Sequence, residues 1–577
     1  MVVVRLDSYS LLICCNYFHS VKDIVHLVMV NSKFKETFSK LHFNPVPLDF
    51  HTFPFFSHLQ TFWVYSQDNP WLDSDQITKY HVHYQISYSQ YCVIVKQQSK
   101  PVEFRKVSYS KEDYILYGIN IPTIVTRFDD YLFSSSRMKT FCIPNHIVEI
   151  GNECFYNCRS LSSITLSSNL TRIGIGAFDS CSCLKSIHLP QLLYSINENT
   201  FFNCSSLTEI KYPPHLNQID DYAFLGCGFK LLSLPSTIVK LGVGCYHKCS
   251  LTSLIIPESI SSMGTKCFNK NDQLLNVSLP DSITELEESM FESCENLQSI
   301  RASSKLSKIG NKCFYNCKSL HLTSHFFDHL IYIGDCCCFG CKDISFLHLN
   351  FTCLSHLGQN AFSNTPLQSV VLPSSLFFLS SSFAFCTSLT NVHLPSSIKN
   401  LSGSFNGCLS LKEVILPQSI TSLGEETFKN CSQLKSLRLP SSLIQLPNYC
   451  FYGCESLINI EIPSTITRFG LYCFKDCKHL TQIQIPKNLL CIGAHCFENC
   501  IFLENVLFYN SLERLEDCCF LFCLGLEEIH LPTSLTYIGQ DSFANCVQLK
   551  KVTGRTDLCF ANQHSFFNTP YSSQLNL

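Results

Sequence analysis

The sequence predicts a repeat solenoid, in which short parallel strands stack in coils of about 23 residues behind a small N-terminal helical and α+β segment. Three observations carry this reading. Residues 441–463, SSLIQLPNYCFYGCESLINIEIP, are followed at once by residues 464–486, STITRFGLYCFKDCKHLTQIQIP, with apolar, aromatic and cysteine positions in the same places. An aromatic slot on that spacing runs through Phe155, Phe178, Phe201, Phe224, Tyr246, Phe268, Phe291 and Phe314, meets Cys338, and resumes from Phe362 to Phe566 as the nineteenth rung. Each unit also ends in an alternating apolar run, the two-residue period of a strand with one buried face.

Within a unit, Leu457-x-x-Ile460-x-Ile462 reads as a short strand, and Pro463 ends it because proline cannot donate to a ladder. Ile466-x-x-Phe469-Gly470 reads as a second extended piece. Glycine recurs at this slot as Gly151, Gly174, Gly310, Gly424 and Gly539, where a turn of positive φ is expected. Cys473-Phe474-x-x-Cys477 reads as a helical turn or 3₁₀ segment. One coil cannot bury its own Leu, Ile and Phe side chains; stacked coils bury them in one continuous core.

The repeated pattern L-P-S-S-L-x-x-I-G-x-x-x-F-x-x-C-x-S-L-x-x-I-x-L-P spans about residues 121–569 and resembles the BspA-like leucine-rich-repeat family. The resemblance implies a leucine-rich-repeat solenoid of 19–20 coils that binds other macromolecules and has no catalytic centre. It also implies an alternative setting, since many members of that family are linked to microbial surfaces and adhesion. Residues 570–577 form a C-terminal tail.

The N-terminal 120 residues lack the repeat. Leu11, Leu12, Cys15 and Phe18, then Ile24, Val25 and Val28, then Phe34, Phe38 and Leu41 suit three short amphipathic helices over residues 1–45. Two roles are open to them. One is a cap that shields the first coil. The other follows from Ser10-Leu-Leu-Ile-x₄-Phe18, Asp23-Ile-Val-His-Leu27 and Val30-Asn-Ser-Lys-Phe34, which together resemble an F-box and imply docking to an adaptor of ubiquitin ligases; Leu6-Asp7 stands where that family has Leu-Pro. Residues 46–120 read as an irregular α/β lead-in, with 79–99 as strand.

Composition narrows the function. Hydrophobic residues make up 46% and charged residues 15%, which suits a folded chain. The net charge of −3 gives no global attraction to nucleic acid. No apolar stretch reaches the roughly 18 residues of a membrane helix. The start, MVVVRLDSYSLLICCNYF, has no small-residue cleavage site, so a cytoplasmic protein with reduced cysteines is expected; a cell-surface protein would need an unrecognised export route. Of 36 cysteines, 25 fall in two columns, three residues after the aromatic slot or just before it, and read as small buried hydrophobes. Cys338-x-x-Cys341 with Cys336 and Cys337 has zinc-ligand spacing, but its members fall in core slots and no second ligand pair lies near. Six N-x-[ST] sequons begin at Asn169, Asn203, Asn276, Asn350, Asn400 and Asn430. No phosphate loop, H-E-x-x-H or G-x-S-x-G motif is found, and no cofactor or metal is implied.

What remains is binding. In each strand the residues flanking the middle apolar position should point outward. The expected partner-binding residues are Glu209, Lys211, Arg301, His393, Glu413, Arg438, Glu461, Gln482, Gln484, Glu528 and His530. Their mixed charges favour a protein partner over a polyanion. His188, His348, His393 and His530 share one outward slot in different coils and read as solvated surface.

Overall fold

The structure is a computed structural model, which describes residues 8–31, 34–302, 304–344, 349–555, 557–558 and 563–575. The fold is a parallel β-solenoid, and the chain divides into two compact units, Met1–Leu216 and Asn217–Leu577.

The first unit opens with α1 (Ser8–Cys15), α2 (Val21–Val30) and α3 (Thr37–Lys40). The Asp23 carboxylate accepts the Ser20 N–H at 2.9 Å, which starts α2. Cys15, Val21 and Ile24 pack in one core with Leu41, Phe56, Phe62, Val64 and Tyr80. Three parallel strands follow: β1 (Thr61–Val64), β2 (Lys79–Ser87) and β3 (Val102–Tyr109). Parallel neighbours need a crossover, and α4 (Tyr88–Gln97) supplies it between β2 and β3. Residues 79–99 are therefore strand only as far as Ser87. The reason is a capping box: Ser87 Oγ accepts the Gln90 N–H at 3.3 Å and Gln90 Oε1 accepts the Ser87 N–H at 3.0 Å, which switches the chain into helix. After α5 (Lys111–Tyr117), the same sheet continues through β4 (Arg127–Phe128) into the repeat strands Glu149–Ile150 and Arg172–Ile173.

A typical described coil offers two strand positions. The second unit shows them clearly. Asn459–Glu461 pairs in parallel with Ser436–Arg438, while Arg468–Phe469 pairs with Gln445–Leu446 on one side and Cys491–Ile492 on the other. The glycines after the second strand do not supply positive φ, contrary to the sequence expectation. They stand where one coil meets the backbone of the previous one. A Cβ on Gly174 would lie 2.4 Å from the Gly151 carbonyl carbon, and one on Gly539 would lie 2.4 Å from the Asp517 nitrogen.

The left-handed residues lie instead two before and two after the aromatic slot, for example Tyr472 (φ 55°) and Asp476 (φ 61°) around Phe474. They keep Cys473–Cys477 from becoming a 3₁₀ helix, although Lys475 and Cys477 donate back to the Tyr472 and Phe474 carbonyls at 3.3 and 3.1 Å. The N–H groups of Tyr472, Phe474 and Asp476 then donate onward to Ala494, Cys496 and Glu498 of the next coil, at 3.0, 2.8 and 2.9 Å. The turn is thus a third intercoil ladder.

The aromatic slot forms the core. Phe155, Phe178 and Phe201 stack with centroids 5.2 and 5.4 Å apart in the first unit. In the second, Phe428 to Phe566 stack at 5.1–5.7 Å. Where Cys338 takes the ring's place, a 3₁₀ turn at Ser324–Phe327 brings in Phe326 and Phe327, whose rings meet Phe314 and Phe362 edge-on at 6.1 and 5.6 Å.

Candidate interaction surface

The three-residue strands present an exposed–buried–exposed pattern, seen in Ser436–Arg438, Asn459–Glu461 and Gln482–Gln484. The middle residue anchors the strand in the core, and its neighbours face outward. The structure places Glu209, Lys211, Arg301, His393, Glu413, Arg438, Glu461, Gln482, Gln484, Glu528 and His530 all on the exposed side. Ten of them lie on described strands. Glu413 does not: residues 411–417 form no strand. Arg438 and Glu461 approach at 3.3 Å, Lys551 and Glu528 at 3.1 Å, and His530 Nδ1 lies 3.0 Å from Thr553 Oγ1. Such exposed pairs contribute little to stability. His188 is likewise exposed, and His348 lies outside the described residues.

The charged residues are only part of this surface. Ile255, Ile415 and Leu507 occupy the same outward slot and are 73, 85 and 69% exposed. Sequence reasoning passed over them because apolar residues were assigned to the core. Their signal was position: each sits one residue after the buried middle of its strand.

A half-buried aromatic cluster lies on β1 and β2 of the first unit. The Trp63 ring stacks on Phe43 at 4.2 Å and meets His83 at 4.2 Å, and His83 lies 4.7 Å from His81. Burial, then the neighbouring His81 and Arg105, lower the pKa of His83 to about 4.

The cysteine columns are buried, and the column after the ring does more than fill space. Its thiols donate to the carbonyl of the ring residue one coil earlier: Cys454 to Phe428 at 3.1 Å, Cys477 to Phe451 at 3.2 Å, Cys500 to Phe474 at 3.2 Å, and Cys181 to Phe155 at 3.2 Å. Where cysteine is absent another small donor stands in: Asn271 reaches Tyr246 O of the previous coil as well as Phe268 O, whereas Thr365 and Thr569 donate to Phe362 O and Phe566 O of their own coils. The slot therefore selects a compact hydrogen-bond donor. Burial pushes the Cys249 and Cys294 thiols up to about 12 and Cys386 up to about 11. Cys337, Cys338 and Cys341 are buried with this column, and among the described residues no three His, Cys, Asp or Glu side chains are grouped to hold a metal ion. Among the described residues no helix is long and apolar enough to cross a membrane.

Comparison with known proteins agrees with this architecture. The model of the BspA type leucine rich repeat region matches residues 108–230, 195–321, 319–404, 401–524 and 471–577. Similar solved structures include a leucine-rich repeat protein from Bacteroides ovatus, 24% identical, covering 72% of this chain and 86% of that one with a TM-score of 0.37. A leucine rich cell surface protein from Faecalibacterium prausnitzii is 22% identical, covering 58% of this chain and 83% of that one with a TM-score of 0.26. The pneumococcal vaccine antigen PcpA is 17% identical, covering 64% of this chain and 87% of that one with a TM-score of 0.33. No curated protein matches the chain. With its repeats matched from residue 108 to the end, the chain belongs to the BspA-type leucine-rich-repeat family.

Proposed function

We propose that this chain is a non-catalytic binding protein whose three-residue strands hold a protein partner. The observation that carries this reading is the exposed–buried–exposed strand, repeated coil after coil, with charged, amide and apolar side chains in its outward slots. That mixture suits a protein surface, which offers both charge and apolar anchors, better than a uniformly charged polymer. Immobilised full-length chain is expected to capture a protein from its source cells, and replacing Arg438, Glu461 and Gln484 together by alanine is expected to abolish capture. Capture unchanged by that variant would overturn the assignment.

Two settings are open to such a binder. Family membership supports display at a microbial surface, as an adhesion protein, over an intracellular scaffold. Biotinylation of intact cells with an impermeant reagent tests this: the surface role predicts labelling without lysis. The intracellular reading, an F-box-like receptor, is supported by apolar residues that α1 and α2 leave outward, Ile13, Met29 and Val30, which are 47, 78 and 78% exposed. It predicts that a ligase adaptor co-purifies with the full chain and is lost in an Ile13→Ser, Met29→Ser variant.

A further inference from the structure

We infer that Cys245 and Cys267 form an intercoil disulfide when this chain folds in the presence of a disulfide oxidant, making one coil junction of the second unit a redox-sensitive staple. The two residues occupy the column just before the aromatic slot in consecutive coils, and their Sγ atoms are 3.4 Å apart. Both are fully buried. The coils are held in register on either side of them: Lys240 and Leu241 pair with Ser262 and Met263, and the Tyr246 N–H donates to the Cys267 carbonyl at 3.0 Å. Consecutive coils stack about 4.8 Å apart, within the roughly 4.4–6.8 Å that a disulfide spans between Cα atoms. Rotation about the Cα–Cβ bonds turns the sulfurs toward each other, and a local approach of the two coils that brings the Cβ atoms within about 3.5–4.5 Å closes the remaining gap.

Its sulfur–sulfur contact sets this pair apart from most of the other thiols, Cys496 beside Cys473 in the same column excepted. Cys249 donates to the Phe224 carbonyl and Cys519 to the Gly493 carbonyl, so drawing those sulfurs aside would orphan an intercoil contact. For Cys245 and Cys267 the hydrogen bond recorded is the one between the two sulfurs. Replacing it by a covalent bond takes nothing from the frame.

The chemistry is thiol–disulfide exchange. With oxidised glutathione, one thiolate of the pair attacks a glutathione sulfur, breaking the S–S bond and releasing one glutathione thiolate. The second thiolate displaces the other glutathione as the Sγ–Sγ bond forms. Glutathione disulfide is reduced, the pair is oxidised, and the two thiol protons end on the two released glutathiones. Because the closed coil admits no such reagent, the exchange belongs to folding, before the junction is sealed.

The test is to refold the reduced full-length chain in mixed reduced and oxidised glutathione, alkylate with N-ethylmaleimide, digest without reductant and weigh the peptides. The expected result is a linked Cys245–Cys267 peptide pair at least about tenfold more abundant than linked Cys313–Cys337 or Cys450–Cys473. Cys245→Ser should leave Cys267 alkylated. Should refolding fail, the full chain secreted to a bacterial periplasm and alkylated at lysis gives the same readout. Recovery of Cys245 and Cys267 as alkylated thiols, or linkage spread evenly over all stacked pairs, overturns the inference.

Discussion

The inner and outer columns of the same coil obey opposite rules. The inner aromatic slot holds Phe or Tyr in eighteen of nineteen coils, and the one vacancy, Cys338, is repaired by Phe326 and Phe327 from a neighbouring turn. The outward slot after the strand's middle residue holds Lys211, Ile255, Arg301, His393, Ile415, Arg438, Glu461, Gln484 and Leu507 in turn. Stacking fixes the first, because rings of consecutive coils touch, as Phe428 to Phe566 do in the second unit. Nothing in the stack constrains the second. On the proposed reading the coil separates stability from recognition, and the following experiments try to break that separation.

The largest effect should come from alkali. A thiol ordinarily ionises near pH 9, whereas burial holds Cys249 and Cys294 up to about 12 and pushes Cys154, Cys408 and Cys519 well above the ordinary value. Above pH 9 the unfolded chain gives up these protons while the folded chain keeps them. Stability is therefore whole below pH 9 and falls as pH rises toward 12, by up to roughly 1.4 kcal/mol per pH unit for each fully buried thiol. Summed over the columns, this predicts cooperative unfolding between about pH 9 and 11, read by circular dichroism. An unchanged spectrum at pH 11 would contradict the buried columns.

Next in size is Phe451→Ala, which leaves a hole between two stacked rings and should cost about 3–5 kcal/mol in denaturant titration. A smaller loss is expected for Cys454→Ala. The Phe428 carbonyl accepts both the Cys431 N–H and the Cys454 thiol, so removing the thiol leaves one bond and should cost about 1 kcal/mol. Thr365 in the equivalent slot donates to the Phe362 carbonyl of its own coil and not to the ring before it, so Cys454→Thr should recover only the share due to bulk. If threonine restores the parental stability in full, the slot wants bulk and not the intercoil donor.

The smallest stability effect concerns the first unit. His83 ionises near 4 in the fold against an ordinary 6.5, because burial, His81 and Arg105 oppose its charge. Its contribution is present above pH 6.5 and is lost as pH falls toward 4. Hydrogen exchange on β2 should therefore accelerate between pH 6.5 and 4.5 after correction for intrinsic rates, and His83→Gln should flatten that slope.

The repeat, its strands and its core rings were legible in the sequence because a fixed period of about 23 residues exposes every slot many times. Three features were not. The glycines looked like positive-φ residues, but their cause is the approach of the previous coil's backbone, which sits one period away and leaves no local signal. The α4 helix was hidden because residues 79–99 alternate like a strand throughout, and the Ser87–Gln90 box that ends the strand is a two-residue cue. The outward charged residues were found by alternation, whereas Ile255, Ile415 and Leu507 were missed because hydrophobicity was equated with burial.

The central claim is that recognition and stability lie in different columns of one coil. The direct measurement makes Arg438→Ala, Glu461→Ala and Gln484→Ala in a single full-length chain, then records its melting midpoint and its capture of the protein partner. These side chains are exposed, and the Arg438–Glu461 pair contributes about 0–1 kcal/mol. The account predicts a midpoint within a few degrees of the parent and loss of capture; a parental level of capture, or a folded state lost along with it, would contradict it.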